Sequence, residues 1–205
     1  DRLLDSARRI FAERGYQGTS VREIIEDAGV TRPVLYYYFK NKEALFSHLI
    51  KAPFDEACDT LDAILADKGD CRAKLKRWVA YAFDRAQRSP DMVRLLLQFF
   101  FSPPVADFAL DKEALGQERF VRLVALMEQG LTRGELRGAD AETLARAFAG
   151  MVDMQVLSLF SDPNSALSPE LGDRLVDLFL DGAGPPAMAP AALELFAAAG
   201  AGARS

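Results

Sequence analysis

Residues 19–42 of this 205-residue chain read TSVREIIEDAGVTRPVLYYYFKNK, and they predict two short helices joined by a tight turn. Ser20 and Glu23 have the spacing of a capping box, in which each side chain accepts a hydrogen bond from the other residue's backbone N–H, so the first helix begins there. Gly29 can adopt the positive φ that ends this helix. Thr31 can cap the second helix, and Pro33 lies in its first turn, where a missing N–H costs nothing. The stretch therefore predicts a helix-turn-helix.

The second of these helices carries three consecutive tyrosines. Leu35 falls on its inward face, which leaves Tyr36, Tyr37 and Tyr38 largely outward, because a helix this short buries only one side. Their hydroxyls can bond phosphate oxygens, and their rings can lie against sugars and thymine methyl groups. Lys42, near the positive N-terminus of the following helix, is predicted to clamp a phosphate. These residues suit a DNA groove better than a protein core.

The rest of the chain shows helical periodicity and no convincing strand alternation, so the predicted fold is all-α. Caps at Asp70, Asp140 and Ser168 begin three of the later helices. Pro53 is predicted to mark the joint between head and body. We divide the chain into a three-helix head of residues 1–46, a larger helical body of residues 47–182, and a tail of residues 183–205 rich in Ala, Gly and Pro.

The charge distribution is compatible with a local DNA contact. The chain has a net charge of −5, but residues 1–53 hold 9 basic and 7 acidic residues, whereas the remainder holds 16 and 23. A mildly basic head on an acidic body can contact DNA without binding every polyanion. Two cysteines, Cys58 and Cys71, and the lack of a secretory signal predict a reducing, cytoplasmic location. No apolar run is long enough to span a membrane.

An enzyme with an all-helical fold is the alternative from another functional class, and the sequence gives it no support. There is no Ser–His or Cys–His arrangement with an orienting acid, no glycine loop to cradle phosphate, and no cluster of metal ligands. We therefore expect no catalytic residues, no cofactor and no metal.

The head resembles the DNA-binding head of TetR-type (TetR/AcrR) transcriptional regulators. The resemblance covers about the first quarter of the chain, and it is carried by residues 19–30 and 35–46 with Ile10-Phe11-Ala12 and Arg14-Gly15-Tyr16. It implies a homodimer whose two heads read adjacent half-sites of a near-palindromic operator. It also implies a body that dimerises through its last two long helices and holds a small-molecule effector, whose binding releases the DNA. An activator, or a regulator without a ligand, remains an alternative within the same fold.

The resemblance also implies which residues contact DNA. Arg32 could read guanine through its N7 and O6. Residues expected to contact phosphate or the sugar-phosphate backbone are Ser20, Arg22, Tyr36, Lys40 and Lys42. Residues expected to approach bases are Thr31, Arg32, Pro33 and Tyr37, with Val34 in reach.

The body carries a surplus of phenylalanine and several methionines, which favour a hydrophobic effector, although core packing explains most of these residues equally well. The candidate pocket residues are Trp78, Phe99, Phe120, Met127 and Met151. The candidate residues of the dimer interface, on the two last helices, are Phe148, Val152, Leu171, Leu175, Leu178 and Phe179.

Overall fold

The computed structural model describes residues 2–101, 110–161 and 166–182, and within these ranges the chain is helical with no strand. The prediction of an all-α fold is confirmed, and the predicted tail lies outside the described residues. The helices are α1 (Arg2–Arg14), α2 (Val21–Ala28), α3 (Arg32–Tyr38), α4 (Lys42–Ala66), α5 (Cys71–Arg88), α6 (Pro90–Phe101), α7 (Lys112–Thr132), α8 (Ala141–Ser161) and α9 (Pro169–Asp181). None of these helices is long and apolar enough to cross a membrane.

The helices bury two separate apolar cores. The first core joins α1, α2, α3 and the start of α4, and it includes the fully buried Phe11 and Leu35. The second core joins the later part of α4 to α5, α7, α8 and α9, and it includes Leu75 and Phe148. Helix α6 belongs to the first core, because its Leu95 is buried there against the head. The head therefore completes its core with a helix that the sequence analysis assigned to the body.

Pro53 lies inside α4 and does not end a helix, and the joint between head and body predicted there stays a prediction. A proline within a helix removes one backbone hydrogen bond and typically costs about 3 kcal/mol. The helix continues because it buries apolar side chains on both sides of the proline, Ile50 and Phe54 in the first core and Leu61 in the second. The division of the chain at residues 46 and 47 falls within this continuous helix and stays a prediction.

The three predicted helix caps are confirmed. The Asp70 carboxylate accepts a hydrogen bond from the Ala73 backbone N–H at 2.7 Å, and the Asp140 carboxylate accepts one from Thr143 at 2.8 Å. The Ser168 hydroxyl accepts one from the Leu171 backbone N–H at 3.2 Å. Each bond satisfies a donor that the first turn of a helix leaves unpaired, so local chemistry sets where α5, α8 and α9 begin.

Candidate nucleic-acid interface

The turn between α2 and α3 is built as the sequence predicts. The Ser20 hydroxyl accepts from the Glu23 backbone N–H at 3.2 Å, and the Glu23 carboxylate accepts from the Ser20 backbone N–H at 2.8 Å, which completes the capping box. Hydrogen bonds from the Ser20 hydroxyl and backbone, with the charge of Arg14, hold the pKa of Glu23 below its usual value. Gly29 ends α2 with φ +63°, a conformation that side chains with a Cβ rarely adopt.

Helix α3 is anchored by one side chain and exposes its tyrosines. Leu35 is fully buried in the first core. Tyr36, Tyr37 and Tyr38 are 49%, 81% and 68% exposed, as predicted. The rings of Tyr37 and Tyr38 meet edge to face, with their centroids 4.9 Å apart. Helix α3 thus exposes three polar aromatic side chains to solvent, while Leu35 packs it against the head.

The residues expected near bases surround the beginning of α3. Thr31, Arg32, Pro33 and Val34 are all exposed. Thr31 occupies the cap position, but its side chain makes no capping hydrogen bond with the described residues, so the predicted role of its hydroxyl as a cap is wrong. The first turn of α3 is formed instead with Pro33, whose fixed φ suits a helix start.

Most residues expected to contact phosphate are at the surface. Ser20, Arg22, Tyr36 and Lys40 are exposed. The Nε of Arg22 donates to the Glu26 carboxylate at 2.6 Å, which raises the pKa of Arg22 and keeps it charged. Since a guanidinium has five N–H donors, this bond leaves others for a phosphate.

Lys42 does not have the position that the sequence analysis expects. Its Nζ donates to the backbone carbonyls of Tyr16 at 2.9 Å and Thr19 at 2.8 Å, and it lies 4.3 Å from the centroid of the Tyr16 ring. Burial lowers the pKa of Lys42. Lys42 therefore ties the loop after α1 to the start of α4, and its predicted contact with phosphate stays a prediction.

The structure divides the five predicted pocket residues between the two cores. Trp78 and Met127 are buried in the second core, where Phe120 and Met151 pack against them at its edge. Phe99 is buried in the first core, with its ring centroid 6.2 Å from that of Phe46. Only Phe120 of the five lines the open cleft that the structure describes between α7 and α8. Helical spacing marks apolar residues but not which core they enter, so the grouping of these five residues into one pocket stays a prediction.

Half of the predicted interface residues are inside the chain's own core. Phe148, Val152 and Leu175 are buried within one chain, so they cannot form a surface for a partner. Leu171 and Phe179 are partly buried against the same core, while Leu178 is 45% exposed. The buried residues were predicted at the interface because they are apolar and recur at helical spacing. Residues in the core of a single chain show the same spacing, so the pattern does not separate the two.

The sequence analysis missed the apolar surface of α8. Met154 is 63% exposed, and Thr143, Ala147 and Gly150 are exposed along the same side of the helix. Their spacing of three and four residues places them in one stripe. In the sequence of α8 these residues form a second stripe beside the one that enters the core, and this second stripe could have predicted the exposed surface.

Comparison with known proteins relates the head to one family. Residues 3–49 match the family model of bacterial regulatory proteins, tetR family. The HTH-type transcriptional repressor KstR2 of Rhodococcus jostii (strain RHA1) is 25% identical to this chain over 195 residues, which cover 90% of each chain. This relative is named as a transcriptional repressor. Among the described residues, no group of three or more His, Cys, Asp or Glu side chains could hold a metal ion.

Two solved structures have a similar fold. The transcriptional regulator FadR from Bacillus subtilis, in complex with stearoyl-CoA, has a TM-score of 0.74 at 21% identity and covers 89% of this chain and 98% of its own. AibR, in complex with isovaleryl coenzyme A and operator DNA, has a TM-score of 0.67 at 23% identity and covers 88% of this chain and 98% of its own. At these identities the similarity establishes a shared fold from the head through the body.

Proposed function

We propose that the chain is a DNA-binding transcriptional regulator of the TetR type, whose family model its head matches, and that it acts as a homodimeric repressor that an acyl-coenzyme A thioester releases from its operator. The single observation that carries DNA recognition is the exposure of three tyrosines on α3 beside the exposed Arg32, over a head whose capping box and turn are complete. Tyrosine and arginine side chains supply hydrogen bonds to phosphates and base edges in the major groove. Because the target is bacterial DNA, we place the working protein in the cytoplasm.

Dimerisation is supported by the exposed stripe on α8 and by Leu178 on α9. A single recognition helix makes too few contacts to select one site in a genome, and two heads double the contacts and define the spacing of half-sites. A Cβ added at Gly150 meets no described atom within 4 Å, so this position has room for a neighbouring helix. We propose that Gly150, Met154 and Leu178 form the centre of a two-fold helical interface.

The proposed effector class follows from the names of the similar proteins. FadR was solved with stearoyl-CoA and AibR with isovaleryl coenzyme A, so this fold accommodates thioesters of very different chain length. The proposal of repression rather than activation follows KstR2, which matches over most of both chains and is named a repressor.

Helix α6 offers a physical route from the body to the head. The amide of Gln98 on α6 donates to the backbone carbonyl of Ala12 on α1 at 2.9 Å, and Phe99 packs on Phe46 in the head. Phe100, the next residue, lines the cleft beside α7. A ligand that displaces α6 would therefore move α1, and with it the helix-turn-helix.

The experiment that tests this function selects the purified protein against a random duplex library and then titrates the selected duplex with octanoyl-CoA. We expect an enriched near-palindrome, binding that weakens steeply with salt, and release by the thioester. The Tyr37→Ala variant should bind the selected duplex about tenfold more weakly, whereas Tyr81→Phe, in the body, should bind it as the wild type does. Failure to enrich any sequence would contradict DNA recognition, and an unchanged affinity with octanoyl-CoA would contradict the proposed effector.

A further inference from the structure

An open cleft of about 870 Å³ lies between α7 and α8, beside the end of α6. Its volume is in the range of sites that hold cofactor-sized ligands. One part of its wall is apolar and consists of Phe100, Phe120, Val121 and Val124. The other part is polar, so the cleft offers an apolar surface and charged groups to the same ligand.

The polar part of the cleft wall contains both cationic and acidic side chains. Three cationic side chains, Lys112, Arg119 and Arg146, line it together with two carboxylates, Glu113 and Glu142. The lining itself carries one net positive charge, and the Asp153 carboxylate beside Arg119 balances it. The cleft therefore offers an anionic ligand specific cationic donors rather than an overall positive field.

Arg119, on α7, presents a partly exposed guanidinium to the cleft. Its terminal nitrogen lies 3.6 Å from the Asp153 carboxylate, a loose ion pair, and its side chain is about one-third exposed. Its Nε is shielded from solvent and has no hydrogen-bond partner among the described residues. Because this Nε is closed to solvent, a ligand in the cleft would meet the terminal nitrogens of Arg119, whose N–H donors the loose pair with Asp153 leaves largely available.

Arg146 stands on the opposite wall, on α8. Its guanidinium pairs with Glu142 at 2.5 Å and lies 4.8 Å from the centroid of the Phe120 ring. The ion pair and the ring hold a mostly exposed guanidinium at the mouth of the cleft, and several of its N–H donors stay available. The two arginines thus flank one space from two different helices.

We propose that this α7–α8 cleft binds the phosphate-bearing head of the effector, with Arg119 and Arg146 as its phosphate ligands and the phenylalanine rings against the less polar part of the head. Arginine suits this role because its fixed fork of donors matches phosphate oxygens. The assignment of the head to coenzyme A rests on the proposed function, but the anion site itself rests on the cleft. Phe100 places the bound head next to α6, the helix that contacts α1.

The test compares the binding of free coenzyme A, octanoyl-CoA and octanoate to the full chain by calorimetry. Arg119→Gln and Arg146→Gln should each lower the affinity for octanoyl-CoA and for coenzyme A by about tenfold or more, because each variant loses a charge-assisted hydrogen bond to phosphate. The affinity for octanoate, which has no phosphate, should be unchanged. Arg88→Gln is the matched control, because Arg88 also pairs with a carboxylate four residues away but lies on α5 outside the cleft. Circular dichroism checks that each variant folds. If Arg119→Gln does not fold, the Arg146→Gln variant provides the test, because Arg146 is mostly exposed and its replacement should leave the fold intact.

Release of the operator duplex is measured separately, so that the two proposals can fail independently. If octanoyl-CoA releases the duplex equally well from the wild type and from both cleft variants, the cleft assignment is wrong and the proposed function stands. If coenzyme A binds in an arginine-dependent way but no thioester releases the duplex, the anion site stands and the proposed effector is wrong. If the wild type binds neither coenzyme A nor its thioester, both proposals are overturned.

Discussion

The ammonium group of Lys42 is bound to the backbone of Tyr16, with its Nζ 2.9 Å from the carbonyl oxygen and 4.3 Å from the ring centroid. A second bond to the carbonyl of Thr19 completes the contact. Lys42 thereby holds the loop between α1 and α2 against the start of α4. Since α2 and α3 follow this loop directly, the contact positions the whole helix-turn-helix on the head.

We predict that Lys42→Met lowers both the melting temperature and the operator affinity, while the dependence of affinity on salt stays close to that of the wild type. A lysine that positions the head releases no counterion from DNA, whereas a direct phosphate contact contributes about one unit to the salt slope. Lys40→Met is the comparison, because Lys40 is exposed and expected at the DNA backbone. It should reduce the slope by about one and leave the melting temperature unchanged. Should Lys42→Met reduce the slope in the same way, Lys42 contacts phosphate after all.

Tyr37 is expected to act in recognition without supporting the fold. Because 81% of Tyr37 is exposed, Tyr37→Ala should leave the free energy of unfolding within about 0.5 kcal/mol of the wild type. Operator affinity, measured by fluorescence anisotropy, should fall about tenfold, which is the loss of one good contact. Tyr37→Phe separates the hydroxyl from the ring. A Tyr37→Ala protein that binds the operator as tightly as the wild type would remove this residue from the interface.

Arg32 is expected to determine one base of the operator. Arg32→Ala should relax the preference for guanine at one position of each half-site, with a loss of about 1–3 kcal/mol for the preferred base. Repeating the library selection with the variant measures this directly. If the variant selects the same bases as the wild type, Arg32 does not read a base.

Met154 is expected at the centre of the dimer interface. Because its side chain is 63% exposed in one chain, Met154→Arg should fold normally and yet place an unpaired charge between two subunits. Sedimentation velocity should show a monomer, and operator affinity should fall with it. Ala80→Arg, on the exposed side of α5, is the control and should remain a dimer. A full dimer of the Met154→Arg protein would locate the interface elsewhere.

The capping box should make the stability of the head depend on pH. Hydrogen bonds from Ser20 lower the pKa of Glu23 in the folded state. The stabilisation is therefore fully present above the unfolded pKa of about 4.3 and is lost as the pH falls through the folded value. Urea denaturation between pH 7 and pH 3 should show Glu23→Gln less stable than the wild type at pH 7, with the difference shrinking below about pH 4. A difference that is constant over this range would contradict the coupling.

Several features of the chain follow from residues that are neighbours in sequence. The capping box of Ser20 and Glu23, the left-handed Gly29 and the caps at Asp70, Asp140 and Ser168 each depend on two residues within three positions of each other, and all were predicted. The exposure of Tyr36, Tyr37 and Tyr38 also followed, because one short helix has room for one buried face. These features require only local backbone geometry, so the sequence alone determined them.

The remaining features depend on contacts between residues far apart in the chain, and only the tertiary structure decided them. Lys42 turns inward because carbonyl groups more than twenty residues earlier accept hydrogen bonds from its ammonium group. Phe99 enters the head's core, and Phe148 enters the body's core rather than an interface, because burial depends on which helices meet. Helical periodicity tells which side of a helix is apolar, but it is the same for a core, a pocket and a dimer surface. Only the packing of α1 to α9 distinguishes among them.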